Sequence, residues 1–324
     1  AAVSGQEFEA PCEAAPELLR RLETLPPPQD YSVPHETRIG PLRKLAEDHP
    51  DDFFVQRYYQ DAFRRRFHVA GEYDHALALY RKHPSGTLPK YLEAHLLMMA
   101  KPREAEVAFN ELLSRYPRFV WPHLDFLEWT ELPGRRDPGE AETHIKAFLE
   151  GCPEAIEGYD HLSLARDPSL LRRTAEGMRR ALERRNTVLD LARWPQLWSL
   201  ESRASTDTKL VQERIRADLK RIESAPLEPG RPYLHVYRQA SELLHDPAIL
   251  EAFEARLARE APQSHLMLSL LQLRWSKENP PPGAGATREQ FEAYRAKQAE
   301  ARAEYLRRWP NHCGLIQEEW FQLR

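Results

Sequence analysis

Glycine is scarce in this chain, at 13 of 324 residues, and the glycine-rich loops that cradle phosphates or dinucleotides are missing with it. No run of alternating β-branched residues occurs, so strands are not expected. The longest apolar stretch, around Leu266 to Trp275, is too short to span a bilayer, and no membrane insertion is expected. Neither charge sign dominates: 46 basic residues face 50 acidic ones, a net charge of −4. The two signs are interspersed, which argues against a nucleic-acid partner. Cysteine is limited to Cys12, Cys152 and Cys313. They are far apart, form no Cys-x-x-Cys, and cannot all pair. Cys152, at a predicted helix end, reads as a free thiol without a role.

Motifs that carry chemistry are also lacking. Thirteen histidines include no His-Glu-x-x-His and no Cys/His cluster with zinc spacing. His312 and Cys313 are adjacent and cannot easily ligate one ion. His49 and His83 precede prolines, where they suit a helix C-terminus. No Gly-x-Ser-x-Gly elbow is present, and the carboxylates are scattered. No catalytic, cofactor-binding or metal-binding residue is therefore expected. An enzyme is not excluded, because α/α toroids place their acids by fold alone.

Proline is what the chain has in quantity, 27 in all. Pro50, Pro84, Pro117, Pro153, Pro262 and Pro310 each follow an apolar-periodic helix, and the first four are 34, 33 and 36 residues apart. Just past a helix end, proline prevents continuation. A second set, Pro102, Pro138, Pro168 and Pro247, opens helices, where a missing N–H costs nothing. Pro102, Pro138 and Pro247 each lie 15 residues before a terminator. Asp137, Asp167 and Asp246 precede opening prolines and are placed to cap free N–H groups, each worth about 1 kcal/mol. A period in the thirties with two helices per unit predicts an all-α, right-handed superhelical solenoid of about seven antiparallel helix pairs.

The predicted organisation is an N-terminal extension, 1–35, followed by a repeat domain, 36–324. The extension holds a disordered start, a short helix over Pro16–Leu25 and a stiff Pro-rich link. One helix then ends at Pro50. Helix pairs are predicted at about 51–69 with 72–83, 89–100 with 102–116, 122–131 with 138–151, and 154–165 with 168–185. They continue at 187–203 with 206–224, 232–244 with 247–260, and 263–277 with 287–308. The start Ala-Ala-Val-Ser-Gly and its polar, Pro-rich lead look like an exported mature chain. An exported or periplasmic location is accordingly favoured over a cytoplasmic one. The chain also reads as the N-terminal part of a larger bacterial protein.

The best-formed units carry a family pattern. Ala105, Phe109, Leu112 and Pro117 have the second-helix spacing of a tetratricopeptide repeat, as do Ala141, Ile145, Phe148 and Pro153. Gly71, Ala76 and Tyr80 fit it in part. Trp121, Leu124, Leu127 and Glu128, and again Trp194, Leu197, Leu200 and Glu201, match the first helix of half-a-TPR repeats. The region 36–310 resembles this family in degenerate form. The first-helix glycine is mostly missing, and Glu254 replaces an aromatic. The resemblance implies a fold and hardly any specific function. It implies a concave groove lined by first helices.

Aligned on Pro89, Pro122, Pro195 and Pro232, those helices share columns. Tyr91, Leu124, Leu197 and Leu234, with Ala94, Leu127, Leu200 and Tyr237, are apolar and read as core. His95, Glu128, Glu201 and Arg238 form a polar column that reads as solvated. Two columns of mixed character supply the candidate partner-binding residues Asp125, Trp129, Trp198, Ser202, His235 and Gln239; the alternative is that the tryptophans pack between repeats. Phe53, Phe54, Tyr58, Tyr59, Phe63 and Phe67 predict a helix covered on both faces. The pairs Arg172–Arg173, Arg179–Arg180 and Arg184–Arg185 read as a solvated basic face or a patch for an acidic partner. The expected function is a non-catalytic protein- or peptide-binding scaffold without cofactor. The competing class is an enzyme on a helical solenoid or toroid acting on polysaccharide or peptidoglycan, which paired carboxylates in a deep cavity would mark.

Overall fold

The computed structural model describes residues 10–28, 30, 32–63, 70–82, 86–98, 100–130, 138–160, 166–228, 230–312 and 315. Among them there are fifteen α-helices and no strand, so the all-α class holds. In chain order they are α1 (Pro16–Glu23), α2 (His35–Asp48), α3 (Phe53–Asp61), α4 (Ala70–Arg81), α5 (Thr87–Leu97), α6 (Pro102–Arg115), α7 (Trp121–Thr130) and α8 (Pro138–Gly151). Then come α9 (Pro168–Arg185), α10 (Arg193–Ala204), α11 (Thr208–Ser224), α12 (Tyr233–Leu244), α13 (Ala248–Glu260), α14 (His265–Glu278) and α15 (Arg288–Arg308). No described helix is long and apolar enough to cross a membrane.

Proline punctuates as its chemistry requires. Pro102, Pro138 and Pro168 are the first residues of α6, α8 and α9. Pro247 sits one place earlier, at the N-cap of α13. Pro50, Pro117, Pro153, Pro262 and Pro310 each lie two residues past a helix end; Pro84 lies outside the described residues. The Asp167 side chain caps α9, accepting from the Ser169 N–H at 2.8 Å, and Asp246, one place before the N-cap of α13, accepts from the Ala248 N–H at 3.1 Å. Asp137 lies outside the described residues.

The pairing of helices follows the expected register in part. α5 packs on α6, α7 on α8 and α12 on α13, as predicted. The expected helix over 154–165 is instead a 3-10 turn at Ile156–Tyr159, with 161–165 outside the described residues. α9 therefore takes α10 as its main partner. α3 ends at Asp61, short of the expected 69, and residues 64–69, Phe67 among them, lie outside the described residues.

Contacts divide the chain into two units. The first combines the described part of Ala1–Leu25 with Ile39–Val211; the second combines Pro26–Arg38 with Gln212–Arg324. In the first unit, Leu19 and Leu22 of α1 are buried, and α1 lies on the short turn Val188–Asp190. Cys12 is bonded to Cys152, which corrects the reading of Cys152 as a free thiol. The two are 140 residues apart, so no local spacing announces them. Cys313 lies outside the described residues. The aromatic cluster on α3 is covered: Phe53, Phe54, Tyr59 and Phe63 are buried. Phe53 stacks on Tyr91 at 5.6 Å and meets Trp121 at 4.7 Å.

In the second unit, Tyr237 of α12 stacks on Phe253 of α13 at 4.0 Å. A histidine chain ties the start of α14 to the segment after α15. The Leu315 N–H donates to His312 Nδ1 at 3.3 Å, and His312 Nε2 lies 2.9 Å from His265 Nδ1. His265 Nε2 lies 3.3 Å from the Ser269 hydroxyl. A ring nitrogen that accepts leaves the other to carry the proton. His312 Nε2–H therefore donates to His265, and His265 Nε2–H to Ser269. Burial lowers both pKa values, and for His312 the neighbouring His265 lowers it further, against a smaller upward pull from Asp30 on each. A base whose folded pKa lies below its unfolded value binds protons more readily when unfolded. Stability from this contact is thus full above about pH 6.5 and falls as pH drops below it. Thermal melts of the second unit followed from pH 7 to pH 5 should show that loss. A profile that stays unchanged in His265→Asn would show that the chain contributes nothing to it.

Candidate functional site

A cluster of charged side chains forms within the first unit where the 3-10 turn, the end of α9 and the start of α10 converge on α3. The 3-10 turn follows directly from the disulfide at Cys152 and is pressed hard onto α8. A Cβ on Gly158 would come within 2.4 Å of the Phe148 ring, so only glycine permits that approach. The turn supplies Glu157 and, at its end, Asp160. α9 ends at Arg185, and Asn186 turns the chain in a left-handed conformation, φ 42°, which asparagine tolerates better than most residues. Thr187 then caps the turn that carries Asp190, and Arg193 opens α10.

These groups form one ion-pair chain. Arg185 Nε donates to Asp190 Oδ2 at 2.7 Å, and Arg193 Nη1 donates to Asp190 Oδ1 at 2.5 Å. Arg193 also grips Asp160 with two parallel bonds, Nε to Oδ1 at 2.8 Å and Nη2 to Oδ2 at 2.9 Å, the strong fork geometry of arginine. Burial fades along the chain. The side chains of Asp190 and Arg185 are 2% and 4% exposed, those of Arg193 and Asp160 18% and 29%. The inner members form a floor, and solvent reaches the outer ones.

Glu157 and Tyr58 complete the cluster. Burial pushes the Glu157 carboxyl up, opposed by the charges of Arg193 and Arg185. Burial raises the Tyr58 hydroxyl as well, with the Glu157 charge as the next cause. Among the described residues, Arg185 Nη1 and Glu157 Oε2 have no hydrogen-bond partner. Such buried orphans cost free energy until something pairs with them. The two guanidinium groups are matched by the carboxylates of Asp160 and Asp190, and burial disfavours the charged form of Glu157 beside them. Asp160 and Asp190 are already committed to arginine, which leaves no free pair of carboxylates for acid–base chemistry.

The sequence did not single out this cluster. Tyr58, Glu157, Asp160, Asp190 and Arg193 come from four separate elements, and their spacing repeats no motif. The Arg184–Arg185 pair was the one visible signal, read as a solvated face. The structure separates its members. Arg184 reaches the surface carboxylates of Glu13 and Glu154, while Arg185 is buried on Asp190.

The six candidate partner-binding residues fall in two units. Asp125, Trp129 and Trp198 are buried in the first unit, at 1%, 7% and 0% exposure. The two tryptophans are thus core side chains, the alternative weighed above. Ser202 is exposed and donates back to the Trp198 carbonyl at 2.8 Å. His235 is exposed and Gln239 half-buried, both in the second unit. Of the apolar columns, Tyr91, Ala94, Leu124, Leu127, Leu197, Leu200 and Tyr237 are buried and Leu234 is half-buried.

The polar column read as solvated is corrected at three of its four places. His95, Glu128 and Glu201 are buried, and only Arg238 is exposed. The reason is pairing from neighbouring helices, which makes a buried charge tolerable. Arg179 of α9 holds Glu201 through Nε and Nη2, each at 2.7 Å. His95 Nδ1 lies 2.6 Å from Asp125 Oδ1. A separate groove between α5 and α6, about 290 Å³ in volume, has Leu97 and Leu112 among its lining and Lys90, Glu104 and Arg115 beside them. It holds none of the clustered groups.

Comparison with protein-family models, with curated proteins and with solved structures finds no match to this chain.

Proposed function

We propose that this chain is a non-catalytic protein- or peptide-binding scaffold built from degenerate tetratricopeptide-like repeats, its helix pairs continuing into a right-handed superhelix. The observation that supports the reading is the ion-pair cluster of Arg185, Asp190, Arg193 and Asp160, whose outer members Arg193 and Asp160 reach solvent. Its aspartates are held by arginine, Arg185 Nη1 and Glu157 Oε2 are buried atoms without a partner among the described residues, and burial raises the Tyr58 hydroxyl beside them. That combination suits a polar segment of a partner chain better than a reaction needing a free acid and a free base. The nearest approach to a catalytic dyad, His95 with Asp125, is sealed at 0% and 1% exposure. The Cys12–Cys152 bond supports an oxidising compartment, as disulfides persist mainly in exported proteins.

The second reading is an enzyme acting on polysaccharide or peptidoglycan, and Glu157 with its raised pKa is what favours it. Both are tested by one set of assays on wild type, Tyr58→Phe and Glu157→Gln. A library of linear peptides should yield binders whose affinity falls about fivefold in either variant, the worth of one hydrogen bond of about 1 kcal/mol. Turnover of peptidoglycan or polysaccharide by wild type, abolished in Glu157→Gln, would replace the scaffold reading with the enzyme.

A further inference from the structure

Residues 10–15 precede α1 without helical structure and lie across the starts of three helices of the first unit. Phe53 opens α3, Leu88 is the second residue of α5, and Trp121 opens α7. Phe53, Phe54 and Leu88 wall one side of a cavity of about 350 Å³, and Ala10, Pro11 and Glu13 wall the other. Besides the bond from Cys12 to Cys152, the contacts of this segment among the described residues are slight. The Trp121 indole N–H donates to the Pro11 carbonyl at 3.3 Å. Glu13 pairs with Arg184, which also holds Glu154, and the side chains of Arg184 and Glu13 are 43% and 32% exposed. Ala14 is the one buried residue of the six. A single methyl group removes little apolar area from water, and the cavity beneath forfeits the contacts that close packing would give. Fixing each residue of the segment costs conformational entropy. The covalent bond is therefore what keeps the segment in place.

We propose that residues 10–15 are a releasable strap over a docking edge made by Phe53, Phe54, Leu88, Trp121 and Arg184, and that a dithiol opens this edge to a partner segment of the strap's own chemistry. That partner is a short non-helical stretch with proline and small residues over the aromatic side chains, a carboxylate on Arg184 and a cysteine facing Cys152. The strap is itself the argument for the occupant, since it already places those groups there. Cys12 is half-buried and Cys152 is 3% exposed, so a dithiol thiolate meets the Cys12 Sγ first. It forms a mixed disulfide with Cys12 and expels Cys152 as a thiolate, which takes up a proton. The second thiol attacks the mixed bond, the reductant leaves as its cyclic disulfide, and Cys12 is freed as a thiol. A partner cysteine arriving as a mixed disulfide with a small thiol is then attacked by the Cys152 thiolate, which bonds to it and expels the small thiol. The edge uses none of the side chains of the ion-pair cluster, so it stands or falls apart from the reading of that cluster.

The test is disulfide tethering to Cys12→Ser, in which Cys152 is unbonded and the strap has lost its hold. Two synthetic hexapeptides are compared, Ala-Pro-Cys-Glu-Ala-Ala, the sequence of 10–15, and Ala-Pro-Cys-Lys-Ala-Ala. Each is supplied as its mixed disulfide with 2-mercaptoethanol, and peptide mapping by mass spectrometry separates adducts at Cys152 from those at Cys313. The glutamate peptide should label Cys152 about fivefold more than the lysine peptide, the upper end of what a part-exposed ion pair gives. Arg184→Ala, made in Cys12→Ser, should remove that preference. In wild type, a dithiol should raise hydrogen exchange over 10–15 while α3, α5 and α7 keep their protection. Equal labelling by the two peptides, a preference that survives Arg184→Ala, or protection of 10–15 unchanged by dithiol would each overturn the proposal. Should Cys12→Ser fail to fold, the exchange measurement on wild type still decides whether the strap is released.

Discussion

Asp125→Ala is expected to destabilise the first unit by about 3–5 kcal/mol, the cost of breaking a buried charge pair from one side. Asp125 is 1% exposed and stands where three helices meet. From α5, His95 Nδ1 approaches its Oδ1 at 2.6 Å; from α3, Arg57 Nη1 comes to 3.7 Å. Arg57 is itself buried, donates to the Tyr91 hydroxyl, and lies over the Trp121 ring at 4.8 Å. His95 reaches back through Nε2 to Asp61 Oδ1 at 3.4 Å. Removing the carboxylate takes from Arg57 and His95 the acceptor they share, in a place water cannot fill. Asp125→Asn keeps an acceptor and loses the charge, so it should fall between wild type and Asp125→Ala. For a unit of this size the larger loss corresponds to a melting temperature lower by roughly 6–20 °C. Chemical denaturation of both variants measures it. A change under about 1 kcal/mol in Asp125→Ala would mean that the cluster is effectively solvated, the value typical of surface pairs.

What the sequence disclosed and what it hid follow from the range over which each effect acts. A proline constrains its own φ and its neighbour's conformation, so helix ends at Asp48, Arg115, Gly151, Glu260 and Arg308 could be read from local text. Apolar columns were legible for the same reason: a leucine on a helical stripe is buried whatever covers it. The polar column failed because its burial depends on partners elsewhere in the chain. Glu201 is buried through Arg179, 22 positions away, and His95 through Asp125, 30 away. Neither distance is a helical period. Nothing in the residue type separates a paired glutamate from a solvated one. The ion-pair cluster was hidden more deeply, since it depends on a left-handed turn at Asn186 and on a 3-10 turn where the repeat predicted a helix. That irregularity moves α9 onto α10 and brings Arg185, Asp190 and Arg193 together. The break in the repeat and the candidate site are the same event.

Breaking the Cys12–Cys152 bond is expected to lower the stability of the first unit by about 2–5 kcal/mol. The bond closes a loop across 140 positions, and in the chain-entropy account long loops yield the larger stabilisation, near the upper end of that range. It also anchors a segment that has other contacts to lose. The Trp121 indole N–H donates to the Pro11 carbonyl at 3.3 Å, Glu13 pairs with Arg184, and Thr187 donates to Glu23 at 2.5 Å. Ala14, Leu19 and Leu22 are buried with them. In Cys12→Ser, protection against hydrogen exchange should therefore drop first over 10–25. It should drop next over the 3-10 turn that follows Cys152, carrying Glu157 and Asp160 out of register with Arg193. Peptide binding should weaken along with stability if the cluster is the recognition site. Reductant should lower the melting temperature of wild type and leave Cys12→Ser unchanged. Two free thiols at these positions in protein purified without reductant, or a melt of Cys12→Ser that matches wild type, would remove the bond from the account of stability and the oxidising compartment along with it.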